Sequence, residues 1–195
     1  MTQPICVEFK GPFAWFHTDS VRSIFEAPGG KKSGVYLWTV TSPEGELVYY
    51  VGETGRSFAR RMEEHLRDQL SGMYHIHDPK TLSDGVKKML WPGTYDKKHP
   101  AKVVDFVAHL QELREPLTGF VKLMRFYLAA LETELRIRRR IESALADHFY
   151  KQDGIVGTFQ EEGIHYYRRH EQESTFLVTV TASIKIRGLS ENLMV

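Results

Sequence analysis

Gly34-Val35-Tyr36-Leu37-Trp38-Thr39-Val40, the turn Thr41-Ser42-Pro43-Glu44-Gly45-Glu46, and Leu47-Val48-Tyr49-Tyr50-Val51-Gly52 form the stretch that decides the fold. Val35–Val40 and Leu47–Val51 are rich in Val, Tyr, Trp and Thr, the residues that suit a pleated surface, and both read as strands. Between them Pro43 fixes φ and Gly45 supplies a positive φ, so the two strands fold back as a β-hairpin. Tyr36 and Tyr50 lie 14 residues apart across that turn and can face one side of neighbouring strands. Cross-strand aromatic packing alone would account for such a pair.

Working outward, Gly52-Glu53-Thr54-Gly55 breaks the second strand, and Ser57 is placed to cap a helix from Phe58 to about Leu70. Phe58, Met62 and Leu66 give that helix an apolar stripe at four-residue spacing. Upstream, residues 10–33 are loop-rich, with room for a short helix at Ser20–Phe25 capped by Asp19 or Ser20. Downstream, residues 71–100 are turn-rich. Residues 101–114 read as a helix with Val103, Val104, Val107, Leu110 and Leu113 on one side, ended by Pro116. Phe120–Leu128 reads as a strand, Thr133 to about Phe149 as a helix, and Thr175–Ile186 as a C-terminal strand. These elements predict an α/β fold: a small, mostly antiparallel central sheet flanked by helices.

At 195 residues, one domain spanning 1–195 is the expectation. Hydrophobic residues make up 42% and aromatics 12%, enough to build a core. The single cysteine, Cys6, excludes an internal disulfide and a Cys-rich zinc site. The longest apolar run, Phe126–Leu131, is far short of the roughly 20 residues a membrane span needs. The N-terminus carries no basic-then-apolar leader, so a cytoplasmic protein away from membranes is expected. The charges nearly cancel, 26 Lys+Arg against 25 Asp+Glu, which argues against a protein that coats nucleic acid. A basic cleft beside acidic outer faces gives the same sum, because the arginines cluster.

Chemistry-bearing residues converge on the hairpin. Arg61 and His65 stand four apart, on one face of the helix that follows the second strand. A guanidinium there can clamp a phosphate bidentately; a solvated basic face is the plain alternative. On the 133–149 helix, Leu135, Ile141, Leu145 and Phe149 define one arc, and Arg138 and Glu142 fall within it. An inward carboxylate must pair or bind a cation, so Glu142 either forms an ion pair with Arg138 or serves as a metal ligand. His75-x-His77-Asp78 has a spacing that suits a transition metal.

The ordered set Gly34-Val35-Tyr36, Tyr50-Val51-Gly52, Arg61-x-x-x-His65 and Ile141-Glu142-x-x-Leu145 resembles the GIY-YIG nuclease superfamily. The matching segments, 34–66 and 120–150, cover under half of the chain. The resemblance implies a GIY-YIG-like sheet with an insertion at 67–119 and a C-terminal strand extension. It also implies hydrolysis of a phosphodiester in double-stranded DNA. Glu142 would hold Mg²⁺ or Mn²⁺; Mg²⁺ keeps several waters and needs only one or two protein carboxylates. Tyr36 or Tyr50 would help deprotonate the attacking water, Arg61 would stabilise the phosphorane charge, and His65 would share proton transfer or hold a phosphate. Arg56, Arg60, Arg138, Arg139, Arg140, Arg168 and Arg169 are the candidate DNA contacts, with a solvated helix face as the alternative for the arginine run at 136–140. Many family members carry an Asn about a dozen residues after the Glu; here that stretch reads Tyr150-Lys151-Gln152-Asp153-Gly154, where either Gln152 or Asp153 substitutes or the role is lost. A stand-alone chain of this size fits a type II restriction enzyme, expected as a homodimer on a two-fold site. A repair or structure-specific nuclease, and a catalytically weak DNA-binding protein on the same scaffold, are the alternatives.

Overall fold

In the computed structural model, which describes residues 4–95, 102–161 and 166–195, the hairpin forms as β2 (Gly34–Ser42) and β3 (Gly45–Thr54). Its register pairs Tyr36 with Gly52 and Trp38 with Tyr50, then shifts so that Thr39 faces Val48. Tyr49 is the extra residue of that β-bulge. A bulge breaks the alternation of faces, so Tyr49 and Tyr50 both turn toward the same side of the sheet. Two strands that the sequence reading passed over complete the architecture. β1 (Ile5–Phe13) buries Val7 and Phe9 while Glu8 and Lys10 pair outside at 3.1 Å. β8 (Asn192–Met194) closes the C-terminus.

The sheet has six strands in the order β3-β2-β6-β1-β7-β8, with β6 at Met124–Ala130 and β7 at Leu177–Ala182. It is larger than expected, and it is mixed: β1 and β7 run parallel, while the other pairings are antiparallel. The sheet curls, and the chain beyond β7 reaches the start of β3, where Glu46 N–H donates to the Lys185 carbonyl (3.1 Å) and Arg187 N–H to the Glu46 carbonyl (2.8 Å).

Helix α1 (Phe58–Leu70) is capped by the Ser57 hydroxyl as expected and buries Phe58, Met62, His65 and Gln69. It covers one face, together with Tyr36, Trp38, Val40 and Leu47. Helix α4 (Leu135–Tyr150) covers the other, where Ile141, Leu145, Ala146 and Phe149 meet Val35, Leu37, Val48 and Val51. The 67–119 region adds a two-stranded sheet of β4 (Ile76–His77) and β5 (Met89–Trp91), joined through α2 (Pro79–Ser83). Its Ile76, Leu82 and Trp91 enter the same core as α1. Between Ser20 and Phe25 the structure forms only a 3₁₀ turn, Ile24–Glu26, capped by Ser23.

Helix α3 (Val103–Leu123) runs through Pro116 instead of stopping before it. The proline forfeits a bond to the Glu112 carbonyl, and Glu112 is exposed, so water can take that carbonyl. Burial of Leu113, Leu117, Phe120 and Val121 outweighs the lost bond and shortens the following strand to begin at Met124. The predicted apolar face also turns out differently: Val103, Val104, Val107 and Leu110 are exposed, and Phe106 and Leu113 face the core. Among the described residues, no helix is long and apolar enough to cross a membrane.

Candidate active site

β3 is an edge strand, with α1 on one face of the sheet and α4 on the other. Residues from both helices meet at the Gly52–Glu53 end of that edge. An edge strand leaves backbone N–H groups without sheet partners. The Glu53 N–H is satisfied from the side, by Glu142 Oε1 of α4 at 2.9 Å. This bond across the edge brings the carboxylate to the tyrosines.

Tyr36 is fully buried, and a Cβ on Gly52 would lie 2.4 Å from its Cζ and 2.5 Å from its hydroxyl oxygen. The glycine of Tyr50-Val51-Gly52 is therefore the space in which the Tyr36 hydroxyl sits. Gly34 answers to the same constraint, since a Cβ there would strike the Ala129 carbonyl of β6 at 2.1 Å. The ring of Tyr50 lies 6.0 Å from that of Tyr36, and Tyr50 keeps part of its surface open.

Arg61 and His65 converge on Tyr36 as their spacing predicts. Arg61 Nε donates to the Tyr36 hydroxyl at 3.4 Å, and His65 Nε2 lies 2.8 Å from it. His65 Nδ1 meets the Tyr74 hydroxyl at 3.0 Å, and that hydroxyl donates to Asp68 Oδ2 at 3.1 Å. The carboxylate fixes the direction of the whole chain. Tyr74 gives its proton to Asp68, so it accepts from His65 Nδ1–H, and His65 Nε2 is left to accept from Tyr36. Burial, reinforced by the Arg61 charge, holds His65 well below its usual pKa, so the ring is neutral and Nε2 carries a free lone pair.

Burial pushes the Tyr36 phenol well up, and the charge of Tyr50 adds to the effect. Tyr50 is raised by burial and then by the Glu142 charge, while Arg61 and Tyr36 pull the other way. The Glu142 carboxyl is pushed from 4.5 up to about 7, first by burial and then by the charge of Glu53. The alternative of an Arg138–Glu142 ion pair does not form. Arg138 Nε turns to Glu53 at 3.4 Å, joined by Arg139 Nε at 3.7 Å. Among the described residues, no cation lies within ion-pair distance of Glu142. A buried carboxylate with one backbone donor, no ion-pair partner among the described residues and a second carboxylate beside it fits a divalent-cation ligand on the chemistry of the donors.

The predicted DNA contacts separate. Arg56 and Arg60 are exposed and flank the site, held by Glu64 at 2.6 and 3.6 Å. Arg139 sits over the Tyr167 ring at 4.2 Å. Arg168 and Arg169 are exposed, bonded to Asp147 (2.9 Å) and to the Glu173 carbonyl (2.7 Å). Arg138 is buried within the Glu53 pair and bonds the Thr133 carbonyl. Arg140 is a structural residue. It is buried, donates to the Ser174 and Val195 carbonyls at 2.8 and 2.9 Å, and lies over Phe176. Gln152 does not fill the place of the missing Asn, because its amide serves the Gly188 carbonyl at 2.6 Å.

Several neighbours escaped sequence reading. Trp38 packs edge-on against His65 at 4.8 Å, Tyr74 and Asp68 extend its hydrogen-bond chain, and Tyr166 feels the charges of Tyr50 and Glu142. Asp68 follows His65 by three residues on α1, a same-face spacing that could have shown its place. Neither a protein-family model, nor a curated protein, nor a solved structure matches the chain.

Proposed function

We propose that the chain is a GIY-YIG-like endonuclease that hydrolyses phosphodiester bonds of double-stranded DNA with Mg²⁺ or Mn²⁺. The observation that carries the reading is the convergence of Tyr36, Tyr50, Arg61, His65 and Glu142, drawn from two strands and two helices, on one end of the β3 edge. Glu142 would hold the cation, which supplies a Lewis acid for the phosphate oxygens and the leaving 3′ oxygen. Loss of the free Glu142 charge also removes the second-largest influence that raises Tyr50.

Tyr50, the tyrosine with surface open to solvent, is the one placed to act on the attacking water: with Arg61 and a cation beside it, it would release its own proton to solvent and, as the phenolate, accept one from the water. Tyr36 stands behind it, its hydroxyl donating to the lone pair of neutral His65, and so positions the site without giving up its proton. Arg61 is partly exposed, bonds Glu64 at 3.4 Å, and presents its remaining donors to the phosphate. Arg56, Arg60, Arg139, Arg168 and Arg169 supply backbone contacts. Within this reading the chain would act as a two-fold dimer cutting a palindrome, as in type II restriction.

Cleavage of unmodified DNA by Tyr50→Phe, Tyr36→Phe and Arg61→Ala tests the assignment. Loss by Tyr50→Phe and Arg61→Ala, with partial retention by Tyr36→Phe, is expected. Full activity in Tyr50→Phe would remove it from the chemistry. The alternative of a catalytically weak DNA-binding protein draws on the lack of an Asn in the 150–154 stretch; it predicts DNA binding without cleavage by the wild-type chain.

A further inference from the structure

We propose that His75, His77 and Glu161 form a second metal site, separate from Glu142, that takes a transition ion of the zinc class and staples the 67–119 region to the segment that follows α5 (Ile155–Phe159). The three donor atoms lie within 4.8 Å of one another. His77, on β4, is 3% exposed and packs between Tyr49 and Phe120, each ring 6.0 Å away. Among the described residues neither of its ring nitrogens has a hydrogen-bond partner, and Glu161 Oε2, also shielded from solvent, has none either. Leaving such a group unpaired is costly, so native proteins rarely do it without a use. His77 Nε2 and Glu161 Oε2 face each other at 3.9 Å, too far for a hydrogen bond but a short step from sharing an ion.

The rest of the cluster is already set. Glu161 Oε1 holds His75 Nδ1 at 2.6 Å. The Glu161 main chain is pinned on both sides: its N–H donates to the Tyr49 carbonyl at the bulge (2.7 Å), and its carbonyl accepts from the Tyr150 hydroxyl (2.6 Å). Two imidazoles and a carboxylate select zinc, cobalt, nickel or copper over Mg²⁺ or Ca²⁺, which prefer oxygen-only shells. With Zn–N near 2.0–2.1 Å, tetrahedral ligands sit roughly 3.3 Å apart, so small side-chain rotations close the site around an ion. Water takes the fourth position. Asp78, the third member of the sequence cluster, is not a ligand: it caps α2 by accepting from Lys80 N–H at 3.0 Å. The absence of a Cys-rich site therefore does not exclude zinc from this chain.

The test uses chelator-stripped full-length protein titrated with Zn²⁺ against a chromophoric chelator, with Co²⁺ absorption as a geometry readout. Wild type is expected to bind one ion per chain, with a tetrahedral Co²⁺ spectrum and a raised melting temperature. Glu161→Gln and His77→Gln are expected to bind at least about a hundredfold more weakly, the upper end for loss of even a supporting residue. His77→Phe fills the same aromatic pocket and so separates binding from folding; it should melt normally and gain nothing from Zn²⁺. Glu142→Gln should bind Zn²⁺ as wild type does, which keeps this site distinguishable from the nuclease cation. Absence of stoichiometric binding by wild type, or equal binding by His77→Phe, would overturn the proposal.

Discussion

Replacing Glu142 by Gln should make the protein's stability less sensitive to alkaline pH, and the size of the effect follows from the site. The wild-type carboxyl titrates near 4.5 when unfolded and at about 7 in the fold. Its folded-state pKa is raised, so its contribution is fully present below 4.5 and is lost as pH rises through about 7. At about 1.4 kcal/mol per tenfold, the whole interval amounts to about 3 kcal/mol, and roughly 2.5 kcal/mol of it falls between pH 5 and pH 8.5. Glutamine does not titrate, and its carbonyl can still accept from the Glu53 N–H. The stability of Glu142→Gln relative to wild type should therefore rise by about 2.5 kcal/mol from pH 5 to pH 8.5. Urea denaturation of both proteins at the two pH values, with chelator present, measures it. Added Mg²⁺ should stabilise wild type at pH 8.5 and leave Glu142→Gln unchanged. A stability difference independent of pH would refute the picture of a buried carboxylate.

Further outcomes follow from the same contacts. Gly52→Ala places a methyl within 2.5 Å of the Tyr36 ring, which Phe58 and His65 back, so thermal melting should show a loss of about 1–3 kcal/mol together with loss of cleavage. Arg140→Ala takes a donor from the Ser174 carbonyl and one of two from the Val195 oxygen, which keeps the Phe176 N–H, and should cost about 1–3 kcal/mol in denaturation while DNA affinity, measured on the folded fraction, stays unchanged. Tyr74→Phe removes the acceptor that fixes the His65 tautomer; single-turnover cleavage should slow by about tenfold with DNA affinity intact.

The sequence made the site more legible than the fold around it. The hairpin, the Ser57 cap and the whole of α1 follow from local chemistry: turn residues, a hydroxyl cap and a four-residue stripe. The shared face of Arg61 and His65 follows from i,i+4 spacing, a short-range rule, while their meeting with Tyr36 comes from the packing of α1 on the hairpin. The course of α3 was not legible, because the penalty at Pro116 is local whereas the burial of Phe120 and Val121 that outweighs it is tertiary. The β1–β7 pairing brings together residues such as Cys6 and Thr179, and no local pattern encodes a partner so far along the chain. Arg138, Arg139 and Arg140 look alike as letters. Only the packing of α4 sends the first two to Glu53 and the third to the C-terminal carbonyls. The His75–His77–Glu161 cluster was half visible: the histidines are neighbours, but Glu161 arrives from 84 residues beyond His77.

The most direct test of the central claim is a cleavage assay on supercoiled, unmodified DNA with wild-type protein and Glu142→Gln, each with Mg²⁺ and with chelator. Wild type should nick or linearise the DNA only with Mg²⁺, while folded Glu142→Gln leaves it intact in both conditions. Cleavage by Glu142→Gln at the wild-type rate, or no cleavage by wild type with either Mg²⁺ or Mn²⁺, would contradict the account.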